Sequence, residues 1–364
     1  MSSAPAIASV HAQAFSFPTD APEADGTIAW DATTLVLVEI EAGGCTGVGY
    51  TYADRAAASL INDVLAAVVV GQSSVDIPRL WTVMSGAVRN IGRRGIAACA
   101  ISAVDVALWD LQARLLGVSL VRLLGSHRTR VPIYGSGGFT SYSDDRLRRQ
   151  LSHWVERDGC RFVKMKVGSE PDRDLHRVAI ARDAIGMAAL FVDANGAYSR
   201  KQALNFAQRF DEAEVAWFEE PVSSDDLEGL RLLRDRAPAG MDIAAGEYGF
   251  EPFYFRRMLE AGAVDVLQAD ATRCGGYTGF LRAAALADAH GLPLSSHCAP
   301  ALHLPVCSAA PRLRHMEWFY DHVRIESAVF DGAPRPEGGE IAFDTSRPGH
   351  GLIFKHRDAE KLAA

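Results

Sequence analysis

Seven ionisable residues recur at the ends of short apolar runs between positions 166 and 317, and their spacing limits what the chain can become. They are Lys166, Asp193, Glu219, Glu247, Asp270, His297 and Glu317, separated by 27, 26, 28, 23, 27 and 20 residues. Each interval holds about one strand and one helix with their loops, the repeating unit of a fold built on parallel strands. The runs themselves are "VPIYGS", "FVKMKV", "ALFVDAN", "VAWFEEP", "DIAAGE", "VDVLQAD", "PLSSH" and "RHMEWF". Eight strands alternating with amphipathic helices suit a closed (β/α) barrel better than an open sheet. In a barrel this register sets all seven polar ends on one rim, the C-terminal mouth where such enzymes keep their sites. An ordinary polar strand end would explain any one of them, but not seven in step.

The first third has a different rhythm. Residues 7–52 read as strands, with the β-rich "TTLVLVEIEA", a turn at Gly43 and Gly44, and "GVGY" beyond it. A polar, turn-rich loop, "SFPTDAPEADGTIAW", is expected between the first two strands. From about 53 to 124 the pattern is helical, and "ACAISAVDVALWDLQARLLG" runs unbroken to Gly117. The chain therefore divides into an α+β capping domain over 1–128, a barrel over 129–320, and a segment over 321–364 expected to pack back on the cap.

Composition narrows the function. A net charge of -8 argues against a nucleic-acid partner, which asks for a basic patch, but not against a small anionic substrate held by a local field. The longest apolar run, around "VLAAVVVG", is too short to span a bilayer, and "MSSAPAIASV" has no basic n-region before an apolar core. No membrane is expected, and a cytoplasmic location is the default. The six cysteines are scattered with no CxxC pair, so they read as thiols rather than as a disulfide frame or zinc site.

Asp193, Glu219 and Glu247 end consecutive strands. Three converging carboxylates repel and protonate unless a cation joins them. Oxygen-only ligands select a hard divalent ion, magnesium with manganese as its alternative. In "FEEP" Glu219 is the expected ligand, and Glu220, facing the other way, the alternative. In "FVKMKVG", Lys164 and Lys166 point to one side of a strand, roughly 6–7 Å apart. At an effective dielectric near 20 their repulsion is about 2–3 kcal/mol, which predicts one neutral lysine near physiological pH, as a general base requires. Asp270 is placed to hold the far nitrogen of His297, fixing its tautomer and raising its pKa. His303, His315 and His322 lack such a partner and read as structural or surface residues. Glu317, if protonated, would donate a hydrogen bond to a substrate oxygen.

Taken in order, "KMK" at 164–166, "DAN" at 193–195, "FEEP" at 218–221, "GE" at 246–247, Asp270, His297 and Glu317 resemble the enolase superfamily, mandelate racemase subgroup. The resemblance covers essentially the whole chain. It implies a modified (β/α)₇β TIM-type barrel, an α+β cap completed by the C-terminal tail, and a homo-oligomer between dimer and octamer. It also implies magnesium ligands at Asp193, Glu219 and Glu247, a base at Lys166, and an acid/base at His297 with Asp270. Lys164 would neutralise the substrate carboxylate, Glu317 would donate to the enolate oxygen, and Asn195 would touch substrate. The implied chemistry is removal of the proton α to a carboxylate in a small-molecule substrate. Dehydration of a sugar acid, aldonate or aldarate, to a 2-keto-3-deoxy acid is the expected outcome, and Asp20, Glu23, Asp25 and Thr27 in the cap loop suit a hydroxylated ligand. A racemase, epimerase or lactone cycloisomerase is the alternative. A non-catalytic sugar-acid-binding barrel and a Schiff-base aldolase are remoter ones.

Overall fold

The computed structural model describes residues 4–364. Strands β1 (Ser9–Ala24), β2 (Ala29–Ala42) and β3 (Cys45–Tyr52) form an antiparallel sheet in the order β1-β2-β3. Period-two alternation covers both of its faces. Leu35 and Leu37 of β2 join the core shared with the barrel, whereas Val36, Val38 and Ile40 pack against the cap's own helices. The stretch at 16–30 is not the loop expected from its prolines and acids. β1 continues to Ala24 and pairs with β2 as far as Ala29, absorbing a register shift between Pro18 and Glu23. Only residues 25–28 turn, with Asp25 Oδ1 accepting from the Thr27 and Ile28 N–H groups at 2.6 and 2.8 Å. Ladder pairing has overridden local turn preference.

The cap's helices are α1 (Ala56–Leu60), a π-helical turn over Ile61–Leu65, α2 (Ala66–Val69), α3 (Ile77–Ala87), α4 (Ile96–Leu115) and α5 (Leu120–Leu124). Helix α4 corrects the reading of apolar runs. It is 20 residues long and its most apolar stretch has a mean hydropathy of 1.5, long and apolar enough to cross a membrane by length and composition alone. Yet 83% of its most apolar stretch is buried inside the protein, so it serves as the core helix of the cap. Gly49 lets it lie directly on β3, because a Cβ there would sit 2.2 Å from the Ala103 carbonyl.

Eight parallel strands close the barrel: β4 (Arg130–Gly137), β5 (Phe162–Lys166), β6 (Ala189–Asp193), β7 (Val215–Glu219), β8 (Asp242–Ala245), β9 (Val266–Ala269), β10 (Leu294–Ser296) and β11 (Leu313–Phe319). Closure comes from β11 pairing with β4 between Met316 and Phe319. Seven helices fill the intervals: α6 (Asp144–Glu156), α7 (Pro171–Ile185), α8 (Arg200–Asp211), α9 (Leu227–Arg236), α10 (Pro252–Glu260), α11 (Gly276–Ala289) and α12 (Pro300–Ala309). This is the (β/α)₇β order. Tyr134, Phe191, Trp217, Ala244 and Val266 fill the interior, while Val163, Met165 and Val167 pack outward in the main core. Lys164 and Lys166 therefore point inward above the aromatic floor.

Beyond the barrel come α13 (Tyr320–Val329), β12 (Phe330–Asp331), β13 (Glu340–Ala342), β14 (Ile353–Phe354) and α14 (His356–Ala359). β13 extends β4 antiparallel, and β14 pairs with β12. This tail meets the cap, where Phe354 packs on Phe15 with ring centroids 5.2 Å apart and the His350 N–H donates to Asp110 at 2.8 Å. Two buried carboxylates cross the seam between cap and barrel. Asp105 of α4 accepts from the Thr278 N–H and hydroxyl at 2.9 and 2.6 Å. Glu326 of α13 accepts from Tyr50 Oη at 2.7 Å and from the Ala301 N–H at 3.0 Å.

Candidate active site

The barrel mouth gathers the seven strand-end groups into one buried cluster. Lys166 Nζ donates to Asp193 Oδ2 at 2.5 Å. Lys164, fully buried, donates to both Glu219 oxygens at 2.7 and 2.8 Å and lies 2.8 Å from Glu317 Oε1. This arrangement reverses the expectation of a lysine made neutral by its twin. Burial works against the Lys166 ammonium, but the attraction of Asp193, backed by Glu247 and Glu219, outweighs burial and Lys164 together and raises its pKa. Lys164 is raised as well, as Glu219 and Glu317 overcome burial. The sequence argument weighed the lysines against each other and left out the carboxylates that the neighbouring strands bring to them.

Asp193, Glu219 and Glu247 each offer a carboxylate oxygen, all within 4.8 Å of one another and buried. Glu220 is outside this trio and borders an adjoining cavity with Asn195. Negative charge exceeds what the lysines neutralise. Burial together with Asp193 pushes Glu219 up to about 8, and burial with Glu247 pushes Glu220 well above the usual carboxylate range. Glu247 Oε2 is buried and accepts no hydrogen bond, although His297 Nε2 lies 3.2 Å away. An orphaned oxygen in an over-charged, oxygen-only cluster fits a hard divalent cation.

On the opposite side of the mouth, His297 Nδ1 meets Asp270 Oδ2 at 2.8 Å, and Asp270 Oδ1 accepts from the Thr272 N–H and hydroxyl, both at 2.7 Å. The second contact leaves Asp270 one oxygen for the imidazole and orients it. Burial opposes the imidazolium, yet Glu247, the Asp270 hydrogen bond and Glu317 raise its pKa. Asp270 itself is held below the usual range, since His297 outweighs the effect of burial. Glu317 differs from its expected state. Burial favours its protonated form, but Lys164 and His297 hold it ionised. It accepts from Ser136 Oγ and from the Cys298 N–H, both at 2.6 Å. Asn195, in the left-handed region at φ 47°, donates its N–H to Asp193 at 2.8 Å and keeps its buried Oδ1 without a partner.

Above this cluster lies a cavity of about 390 Å³ between barrel and cap. Its lining includes residues that sequence reasoning missed: Trp30, Tyr52, Arg273, Cys298, Phe319 and His322. Arg273 lies 3.4 Å from Glu247 Oε1 and 3.6 Å from Asp270 Oδ2. Its place three residues after Asp270 was a usable signal; the cap residues reach the mouth only through tertiary contacts. Of the three histidines taken as structural or surface, His303 and His315 are buried and bonded, with His303 accepting from the Ala271 N–H at 2.7 Å and His315 Nδ1 2.9 Å from Ser295 Oγ. His322 instead borders the cavity, stacked on Tyr52 at 3.4 Å between centroids. Among the polar residues of the cap hairpin, Asp25 borders this cavity and Thr27 the adjoining one. Asp20 is bonded to Arg146 and Tyr320, and Glu23 lies buried beneath the Trp30 indole N–H, which donates to it at 2.9 Å.

Comparison with known proteins identifies the family and the fold. The enolase C-terminal domain-like family matches residues 146–359, and the mandelate racemase / muconate lactonizing enzyme N-terminal domain matches 16–125. A 3,6-anhydro-alpha-L-galactonate cycloisomerase from Streptomyces coelicolor is 32% identical over 90% of this chain and 91% of its own. L-talarate/galactarate dehydratase from Salmonella typhimurium is 34% identical over 82% of this chain and 77% of its own. The structure of an L-talarate/galactarate dehydratase K197A variant, liganded with magnesium and L-glucarate, covers 99% of this chain and 92% of its own at 28% identity, with a TM-score of 0.90. The structure of a mandelate racemase/muconate lactonizing enzyme-like protein from Rubrobacter xylanophilus is 50% identical, covers 99% of this chain and all of its own, and has a TM-score of 0.96.

Proposed function

The chain belongs to the mandelate racemase/muconate lactonizing enzyme family of the enolase superfamily, and on that premise we propose that it dehydrates a sugar acid to a 2-keto-3-deoxy acid. The observation that carries the reading is the pair of proton-transfer groups on either side of the carboxylate trio. Lys166 reaches it beside Asp193, and His297 reaches it beside Glu247, from strands β5 and β10 at three steps round the ring.

Asp193, Glu219 and Glu247 would hold the magnesium. When bound, it supplies positive charge that makes the proton α to the substrate carboxylate more acidic. Lys166, hydrogen-bonded to Asp193, would take the α-proton on Nζ in its neutral form, which sharing Asp193 with a metal ion would favour. Lys164, fixed by Glu317, balances the second negative charge that develops on the substrate carboxylate. The His297 imidazolium, aligned by Asp270, gives its Nε2 proton to the leaving β-hydroxyl, and water departs. The Asn195 carboxamide oxygen accepts from a substrate hydroxyl. The resulting enol becomes the keto acid. The cycloisomerase relative favours a second reading, in which the β-leaving group is an oxygen of the substrate's own ring: that C–O bond breaks, His297 gives the oxygen its proton, and no water is lost.

A panel of sugar acids incubated with Mg²⁺ in D₂O separates these readings. Dehydration gives a keto acid lighter by one water, and isomerisation gives product of unchanged formula apart from deuterium. Lys166→Ala and His297→Asn should each abolish turnover, and each should retain α-proton exchange on one face only. Full activity in both variants would sink the two-group mechanism.

A further inference from the structure

The mouth cavity has cations on its floor and none in its roof. The barrel contributes Lys166, Arg273 and His297 beside Glu247, while the cap contributes Ile28, Trp30, Thr33 and Tyr52 with two acids, Asp25 and Asp54. Among the described residues no lysine or arginine of the cap lines it. Both acids are fixed by backbone bonds, Asp25 within the hairpin turn and Asp54 by accepting from the Ala56 N–H at 2.8 Å. Cations near the rim are already engaged: Arg146 with Asp20, Arg324 with Asp321, and Arg94 with Glu251. On the floor, Arg273 faces Glu247 and Asp270.

One polar group offered at the roof is a neutral donor. His322 Nδ1 accepts from the Ala299 N–H at 3.1 Å, which leaves the ring proton on Nε2. Burial holds this imidazole neutral. Its ring lies between Tyr52 and Phe319, and Trp30 and Ile28 complete an apolar, partly exposed surface.

We propose that the substrate is a monocarboxylate whose far end carries no charge, an aldonate-type rather than an aldarate-type acid. The inference rests on the sugar-acid reading above, which places the reacting carboxylate on the floor with Lys164 and Lys166. The far end of the same molecule then meets the roof. A second carboxylate there would be desolvated against Asp25 and Asp54 with no free counter-ion. A terminal hydroxyl or methyl group meets no such penalty: its C–H face stacks on Trp30 and Tyr52, and a hydroxyl takes the His322 N–H. Specificity of this kind works as much by rejecting the diacid as by binding the monoacid.

The test uses matched pairs of aldonic and aldaric acids with the same configuration at the inner carbons, assayed with the full chain and saturating Mg²⁺. Binding is read separately by thermal protection in Lys166→Ala, so that affinity is seen without turnover. The aldonate should lead its aldarate at least tenfold in kcat/KM and in apparent Kd. Ile28→Arg, on a side chain 64% exposed at the hairpin tip, should shift that ratio at least tenfold towards the diacid. Asp54→Asn, which can still cap the following turn, should shift it the same way by less. An aldarate that equals or beats its aldonate in the unmodified protein overturns the proposal, as does a ratio unmoved in both folded variants. Absence of both binding and α-proton exchange across the whole panel would instead bring down the sugar-acid reading itself.

Discussion

Asp270 shows how one side chain decides what another can do. Its Oδ2 meets His297 Nδ1 at 2.8 Å, so the imidazole keeps its proton on that side and presents Nε2 to the mouth. Asp270→Asn would remove the charge that sustains the imidazolium and could place an amide donor against Nδ1, leaving Nε2 unable to accept a proton. By wrong-tautomer logic, exchange on the His297 face should fall on the order of 10³-fold or more. The Lys166 face should retain its exchange within about tenfold. Deuterium uptake followed by NMR on the two α-epimers of one acid reports the faces separately, and an equal loss on both would refute the assignment. The residue types at these positions were legible because strand ends in constant register declare a shared rim. Their charge states were not, because they depend on partners from other strands: Glu317 is ionised by Lys164 and His297, and Lys166 is raised by Asp193.

At the scale of elements, the eight barrel strands were readable because each is a short apolar run between helices, a pattern that survives burial on both faces. The cap hairpin was not. Pro18, Pro22 and the acids between them read as turn chemistry, yet β1 passes through them and only residues 25–28 turn, before β2 brings Trp30 and Thr33 to the mouth. Its tip is seated by close approach: a Cβ on Gly26 would lie 2.3 Å from the Ala194 carbonyl oxygen and 2.7 Å from that of Val167. Those carbonyls belong to the loops that follow β5 and β6, next to Lys166 and Asp193. Gly26→Ala should therefore lift the tip from the mouth, an overpacking effect of about 1–3 kcal/mol. Because Thr140 and Ser141 still latch the hairpin stem at Asp25 and Pro22, the fold should survive. The expected signature is a rise in KM of roughly tenfold or more with unchanged circular dichroism. An unchanged KM would mean that the tip does not shape the site.

For the whole molecule, the seam between cap and barrel carries a pH dependence of its own. Burial pushes Glu326 up to about 8 and Asp105 up to about 7, against ordinary values of 4.5 and 3.8. Between the ordinary and the raised values the native state binds more protons than the unfolded chain, so stability falls as pH rises and levels off above the raised values. Buried neutral histidines act in the opposite sense but only below their ordinary pKa of 6.5: His303, His315 and His350 are all lowered by burial. The carboxylate effect is therefore exposed between about pH 6.5 and 8.5, where the midpoint of thermal unfolding should decline. Glu326→Gln keeps the shape and can still accept from the Ala301 N–H, but it cannot ionise. With Mg²⁺ held constant, this variant should lose about 2 kcal/mol of that decline, the integral of one proton's linkage over roughly 1.5 pH units. Since Glu326 of α13 ties Tyr50 of the cap to α12 of the barrel, the same titration loosens the joint that closes the cap over the mouth. A Glu326→Gln protein whose unfolding midpoint tracks pH as steeply as the parent would show that the joint is insensitive to this carboxyl.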